Sequence, residues 1–339
     1  MRNRSKTFAI SLLSGLLSLC FNPESGEAQK NQSYTLPAVG YDISLADNGS
    51  SVVSLTNSVV FWARNANGVA RTVPLTSEIF KVEMKADGSV VYLLGLFDST
   101  TLYRHDLATD ATSLRSFEAS PVDFKLSPDG AKVTVGMSNN VAIVSYTTFF
   151  EDGAPISLAG KSRAIAVSPD SAVAYLAVGA PTSSIIKVQL STRQVIQQFR
   201  VRGAVETMVM SPSGEFIYAV VSRTLSSGKI VRSLAVINSK TRKVVASRTL
   251  QTSGTDTPVF DIEAGAHNIF VSSSQPFVVG SRKAGVIRLS VTKGGVGQPI
   301  VFAQVNAGAN AIAYRESIHT LGMIDSTNPV VRFKKTPTS

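Results

Sequence analysis

Leu126-Ser127-Pro128-Asp129-Gly130, Val167-Ser168-Pro169-Asp170-Ser171 and Met210-Ser211-Pro212-Ser213-Gly214 repeat one short phrase. An apolar residue leads into a turn whose Pro and Asp preset the backbone and whose last small residue closes it. With that last residue as anchor, seven copies run along the chain, at Gly49, Gly88, Gly130, Ser171, Gly214, Ala266 and Ile318. Their spacings are 39, 42, 41, 43, 52 and 52 residues.

Around each anchor the apolar pattern has period two. Six residues before it stand Ile43, Val82, Phe124, Ile165, Met208, Phe260 and Ile312, and four before it Leu45, Met84, Leu126, Val167, Met210, Ile262 and Tyr314. Three residues after it come Val52, Val91, Val133, Ala174, Ile217, Ile269 and Leu321. An alternating strand on each side of a turn is a β-hairpin with one face to bury.

Each hairpin is followed by two more strand-like runs joined by a polar turn, as in Ser233 to Ile237, Asn238 to Arg242 and Lys243 to Leu250. Four strands at this period predict an all-β fold, a seven-bladed β-propeller with four antiparallel strands per blade. One small twisted sheet cannot bury both faces until its neighbours stack around a ring. After the last anchor only two strands remain, near Thr320 to Met323 and Pro329 to Phe333, while an unassigned run, Ser33 to Pro37, precedes the first. The N-terminal strand is therefore expected to complete the last blade, closing the ring by strand pairing.

Residues 1–28 are read as a signal peptide: basic Arg2, Arg4 and Lys6, an apolar run from Phe8 to Phe21, and a polar tail ending at Ala28. The run is shorter than the roughly 20 residues of a membrane-spanning helix, and no later segment qualifies. The mature protein, residues 29–339, is expected in the periplasm or outside the cell. Cys20, the sole cysteine, excludes an intramolecular disulfide. Leu17-Ser18-Leu19-Cys20 also approaches a lipobox, with Leu19 where a small residue is usual, so lipid anchoring through Cys20 is a minor alternative to its removal.

The run Val236-Ile-Asn-Ser-Lys-Thr-Arg-Lys-Val-Val245, after the Ser-Pro-Ser-Gly turn of its own repeat, resembles the YVTN-repeat propellers of bacterial envelopes. Val91-Tyr92-Leu93-Leu94 and Ile217-Tyr218-Ala219-Val220 are the nearest versions of the eponymous tetrad. The likeness covers the mature chain and is strongest in blades three to five. It implies a seven-bladed propeller and, since some such propellers bind DNA, admits nucleic acid as a partner.

The alignment puts Asp42, Lys81, Asp123, Arg163, Glu206 and Asn310 at the mouth of the central channel, where mixed charge either solvates the opening or orients a ligand. The two long repeats gain length in Ser222 to Arg232, Gln251 to Thr257 and Ser272 to Ala284, all assigned to the face of that mouth. Insertions gathered on one face mark it as the expected binding face.

Without residues 1–28 the chain keeps 30 basic and 21 acidic residues, since Arg2, Arg4, Lys6, Glu24 and Glu27 leave the totals of 33 and 23. Eleven bases and only Glu206 and Glu215 lie between Ser171 and Thr255, so blades four and five hold the whole +9. Such a field attracts nucleic acid, acidic polysaccharide or an anionic membrane surface, with Arg202, Arg223, Lys229 and Arg232 as the candidate polyanion contacts. Lys240, Arg242 and Lys243 belong to a turn on the opposite face, so the field wraps an edge. No aromatic ladder interleaves the bases for single-strand stacking.

Three histidines, His105, His267 and His319, fall in different blades without zinc-ligand spacing, so no metal and no cofactor is expected. Glu83, Lys125 and Asp261, five residues before their anchors, lie deeper in the channel and could either pair with one another or serve a lactonase-like or lyase-like enzyme. The reading preferred over that enzyme is a monomeric, non-enzymatic recognition module holding an envelope or extracellular protein, a glycan or another polymer.

Overall fold

The computed structural model describes residues 32–56, 58–62, 70–75, 78–95, 100–253, 260–292, 295–303, 308–327 and 330–336. Residues 1–28, read above as a signal peptide, and Cys20 with them, lie outside these, as do residues 254–257 of one of the long segments.

Seven antiparallel sheets follow one another around a ring. The innermost strands are Ile43–Leu45, Ile79–Met84, Pro121–Leu126, Ser162–Val167, Ala204–Met210, Phe260–Ala264 and Ala309–Arg315, for blades 1 to 7. Six sheets have four strands, and in five of these the strands run in sequence order from the channel outward. In blade 6 the outer position is split between Gly295–Val296 and Ile300–Ala303, both paired with Arg282–Thr292. Pro299 sits in the break, where a residue without an N–H donor is tolerated. Blade 7 is completed by Gln32–Thr35, which pairs with Val330–Lys335 so that Tyr34 opposes Val331. The expected closure of first blade on last is thus the observed one.

Burial explains why seven sheets make a ring. Among the described residues the core divides into seven clusters, and each straddles one boundary between neighbouring blades. Strand alternation supplies both sides. Ile217, Ala219 and Val221 of blade 5 pack on blade 4, while Tyr218 and Val220 of the same strand pack on blade 6. Each sheet is apolar on both faces and gains burial only from two neighbours.

All seven residues three after the anchors are fully buried, and of the fourteen apolar residues before the turns only Tyr314 is half-exposed. The anchors Gly49, Gly88, Gly130, Ser171 and Gly214 take positive φ, from 57° to 83°. Ala266 and Ile318 do not. In blade 7 a short 3-10 turn, Glu316–Ile318, passes the left-handed position to His319, φ 46°. In blade 6 a tighter turn forms, with Gly265 N–H donating to the Asn268 carbonyl, so Ile269 opposes Ala264 rather than Ile262. Blade 1 slips by one, Leu45 opposing Ser51, because its turn is one residue shorter.

The opening serine of the turn has a role that the spacing does not reveal. Ser127 Oγ accepts the Lys132 N–H at 2.9 Å and donates to Asp129 at 2.6 Å. Ser168 repeats both contacts with Val173 and Asp170. The hydroxyl thus clasps the neck of the hairpin, as small polar side chains do in turns.

Candidate functional site: the channel mouth and the long hairpins

Inner strands begin on one face of the disc, the mouth face, and end at the anchor turns on the other, the turn face. Because side chains alternate, the described residues seven and five before an anchor line the channel in most blades while those six and four before it enter the core; Arg163, Glu206 and Asn310, eight before their anchors, sit at bulges in blades 4, 5 and 7. The channel has a volume of about 730 Å³ and is lined by all seven inner strands. Asp42, Lys81, Asp123, Arg163, Glu206 and Asn310 all line it, and Glu83, Lys125 and Asp261 lie further in. Glu263 and Arg315 line it too. Each stands three residues before its anchor, a position in the same alternation that the sequence reading did not follow.

Most of these groups are engaged. Asp42 Oδ2 accepts the Val82 N–H of blade 2 at 2.9 Å, and Asp261 Oδ2 the Ile312 N–H of blade 7 at 2.9 Å. Asp123 Oδ2 accepts the Ile165 N–H of blade 4, and Glu83 Oε2 the Leu126 N–H of blade 3. The Arg315 guanidinium donates to the Leu45 carbonyl of blade 1, and Asn310 Nδ2 to the Gly40 carbonyl. Lys81 pairs with Asp123, Lys125 with Glu83 at 3.2 Å, and Arg232 with Glu206 at 3.2 Å. The charges therefore lace inner strands together at five of the seven blade boundaries, 1–2, 2–3, 3–4, 6–7 and 7–1, satisfying backbone donors that the sheets leave open on the channel side, while Glu206 pairs within blade 5.

The electrostatics follow from this enclosure. Burial pushes the Asp42 carboxyl up to about 7, the charge of Asp261 adds to it, and Lys81 opposes both. Burial likewise raises Asp261, and it lifts Glu263 to about 7. For Lys125 burial acts against the charge, yet Glu83 and Glu263 outweigh it and hold the ammonium above the usual lysine range. Arg163 is exposed at the rim.

No histidine joins the channel lining. His105 is buried in blade 2, stacked on Phe61 at 5.6 Å and bonded to Thr112, and burial lowers its pKa. His267 and His319 lie at the turn face. Among the described residues no three His, Cys, Asp or Glu side chains are grouped to hold a metal ion.

The mouth face also carries two overlong hairpins. The second strands of blades 2, 3 and 4 have six residues each, but Phe216–Thr224 in blade 5 has nine and Asn268–Val279 in blade 6 has twelve. In blade 5 the inner strand ends its pairing at Ala204 opposite Ser222, and the outer at Leu250 opposite Arg232. Arg223, Thr224, Ile230 and Val231 run on past both, by about 7 Å at strand rise. In blade 6 the tip is tied sideways to the linker from blade 5: Thr252 bridges Phe277, and Val278 N–H donates to the Gln251 carbonyl. Phe277 turns inward against Phe260, ring centroids 6.0 Å apart, so Val278 beside it turns outward.

Of the four candidate polyanion contacts, Arg202, Arg223 and Lys229 are exposed on this face. Arg223 lies over Gly203, φ 118°, where an added Cβ would meet its Cγ at 2.6 Å. Arg232 is different: it is half-buried, paired with Glu206 and stacked over Phe260 at 5.8 Å. Lys161, Arg282 and Lys283 are further exposed cations at the mouth-face ends of blades 4 and 6.

No family model matches the chain, and no curated protein matches it. Solved structures do. Kuenenia stuttgartiensis hydrazine synthase is similar at a TM-score of 0.74 and 13% identity, over 94% of this chain and all of that one. The Cps50 (Swd1) β-propeller domain from Myceliophteria thermophila is similar at 0.67 and 10%, over 90% of this chain and all of its own. A chain of a mitotic checkpoint complex is similar at 0.68 and 13%, over 96% and all of its own. At these identities the likeness carries the fold, and among the described residues no helix is long and apolar enough to cross a membrane. The protein is a seven-bladed β-propeller.

Proposed function

We propose that this propeller is an exported, non-enzymatic recognition module of the YVTN-repeat type, which holds a protein, a glycan or another polymer of the envelope or extracellular space on its mouth face. One observation carries the reading: the two hairpins that overrun their neighbours both rise on that face, in adjacent blades. In blade 5 the extra strand length, Arg223, Thr224, Ile230 and Val231, joins no core cluster, and the tip in blade 6 is tied down by backbone bonds. A rigid, exposed projection lowers the entropic cost of binding. The channel charges, by contrast, are spent on lacing strand to strand, which argues against the enzyme reading. Export rests on the leader anatomy of residues 1–28.

The test is affinity capture from an envelope extract with the intact protein and with a variant in which Leu225 to Lys229 is replaced by a two-residue turn. Loss of the captured partner in the variant supports the reading. Equal capture by both places the binding surface elsewhere.

A further inference from the structure

We propose that the hairpin tips of blades 5 and 6 seat on an anionic lipid bilayer, with their apolar side chains entering the headgroup region. This names the partner of the mouth face and rests on the recognition reading above.

Two properties coincide at the tips. The first is an excess of cations over acidic groups among the described residues. Arg202, Arg223, Lys229, Arg282 and Lys283 are exposed there. No acidic residue stands between Glu215 and Asp256 or between Glu263 and Glu316, and Glu206 is already paired with Arg232. The second is exposed apolar surface in the same few residues: Leu225 is 44% exposed, Ile230 47% and Val278 37%. Leu225 and Ile230 are separated in sequence from the flanking Arg223 and Lys229 by one residue or none.

Alternation of large apolar and cationic side chains suits the boundary of a bilayer. Apolar groups leave water for the acyl edge while Arg and Lys keep their charges at the phosphate level. Cations near such a surface gain from its negative potential. A polysaccharide or a nucleic acid offers the charge but nothing to cover Leu225, Ile230 and Val278, so the apolar tips favour lipid. The tips overrun the disc, so the rim does not hold them away from a broad surface. The tied tip of blade 6 needs no ordering to bind.

Sedimentation with vesicles tests this, using phosphatidylcholine alone and mixed with phosphatidylglycerol. The protein is expected to sediment only with the mixed vesicles. Leu225→Ser with Ile230→Ser leaves the charge unchanged and is expected to weaken binding about tenfold. Arg223→Glu with Lys229→Glu is expected to weaken it by more than about tenfold, at roughly fivefold for each cation lost before reversal is counted. Lys240→Glu with Arg242→Glu makes the same charge change on the turn face and should leave binding within about twofold. These residues sit in exposed turns and strand overhangs, and circular dichroism checks that each variant keeps its fold.

Absence of binding to mixed vesicles overturns the proposal. So does equal loss from the turn-face pair, which would mean net charge alone, or an unaffected Leu225/Ile230 variant whose binding heparin or duplex DNA displaces, which would mean a polyelectrolyte site. If the protein ignores vesicles but still loses its captured partner with the Leu225 to Lys229 replacement, the lipid proposal falls and the recognition reading stands.

Discussion

Asp42 Oδ2 on the innermost strand of blade 1 accepts the backbone N–H of Val82 on the innermost strand of blade 2, at 2.9 Å. The carboxylate is thus a stitch between two sheets, held in a channel where burial disfavours its charge. That tension sets a pH dependence for the whole ring.

Asp42, Asp261 and Glu263 are all raised above their unfolded values, Asp42 and Glu263 to about 7. A raised carboxyl binds its proton more tightly in the folded state, so its contribution is complete below about pH 4 and, for Asp42 and Glu263, is lost as pH rises through about 7, Asp261 acting in the same sense. The turn carboxylates Asp87, Asp129, Asp152 and Asp170 are lowered and act in the opposite sense, but only below the ordinary carboxylate range. The thermal unfolding midpoint is therefore expected to fall between pH 5 and pH 8, by an amount equivalent to about 1–2 kcal/mol. Asp42→Asn should flatten that slope; an unchanged slope in the variant would refute the assignment.

Lys81 and Asp123 belong to different blades, 42 residues apart, and Asp123 also holds the Ile165 N–H of a third. Asp123→Ala is expected to cost about 3 kcal/mol, because it strands an enclosed ammonium and an amide together. Adding Lys81→Ala should restore part of the loss. A double-mutant cycle in denaturant reads this directly, and strictly additive effects would mean the pair is not coupled.

Ring closure hangs on four residues. Tyr34 is buried, packs edge-on to Phe333 at 5.9 Å and opposes Val331. Tyr34→Ala is expected to cost about 3 kcal/mol. Removal of Gln32–Thr35 should be worse in kind, leaving Val330–Lys335 as an open edge that invites association between molecules. Light scattering together with loss of a single cooperative unfolding step would report it; a truncated protein that stays monomeric and cooperative would contradict the closure argument.

His319 sits at φ 46° after the short 3-10 turn of blade 7, in the left-handed region that a glycine fills without a Cβ penalty. His319→Gly is expected to raise stability by about 0.5 kcal/mol, net of the entropy glycine adds to the unfolded chain. Ser171, at φ 57°, should behave differently, since its hydroxyl accepts the Asp129 N–H from blade 3 and the gain from glycine is offset. Chemical denaturation of the two variants separates strain from bonding.

Period-two alternation around the anchors was enough to place the hairpins and most inward-facing positions, because each is decided by neighbours a few residues away; the closing strand followed from the strand count, since its partner Val330–Lys335 lies at the other end of the chain. Alternation failed where the turn itself changed. Ala266 carries no left-handed residue, so the blade 6 hairpin tightened and Ile269 met Ala264 instead of Ile262. It also passed over Glu263 and Arg315, which follow the same inward register one step nearer the turn.

What the amino-acid sequence determined alone was a count and an orientation: seven two-faced sheets, a spare strand at the start to complete the last of them, and mixed charge at the channel mouth. Whether that charge was free was decided only in three dimensions. Lys81 finds Asp123, Lys125 finds Glu83 and Arg232 finds Glu206 across 42, 42 and 26 residues of chain. Local alternation says which way a side chain points, but the partner it meets depends on how whole sheets are rotated against one another, and only packed interfaces set that rotation.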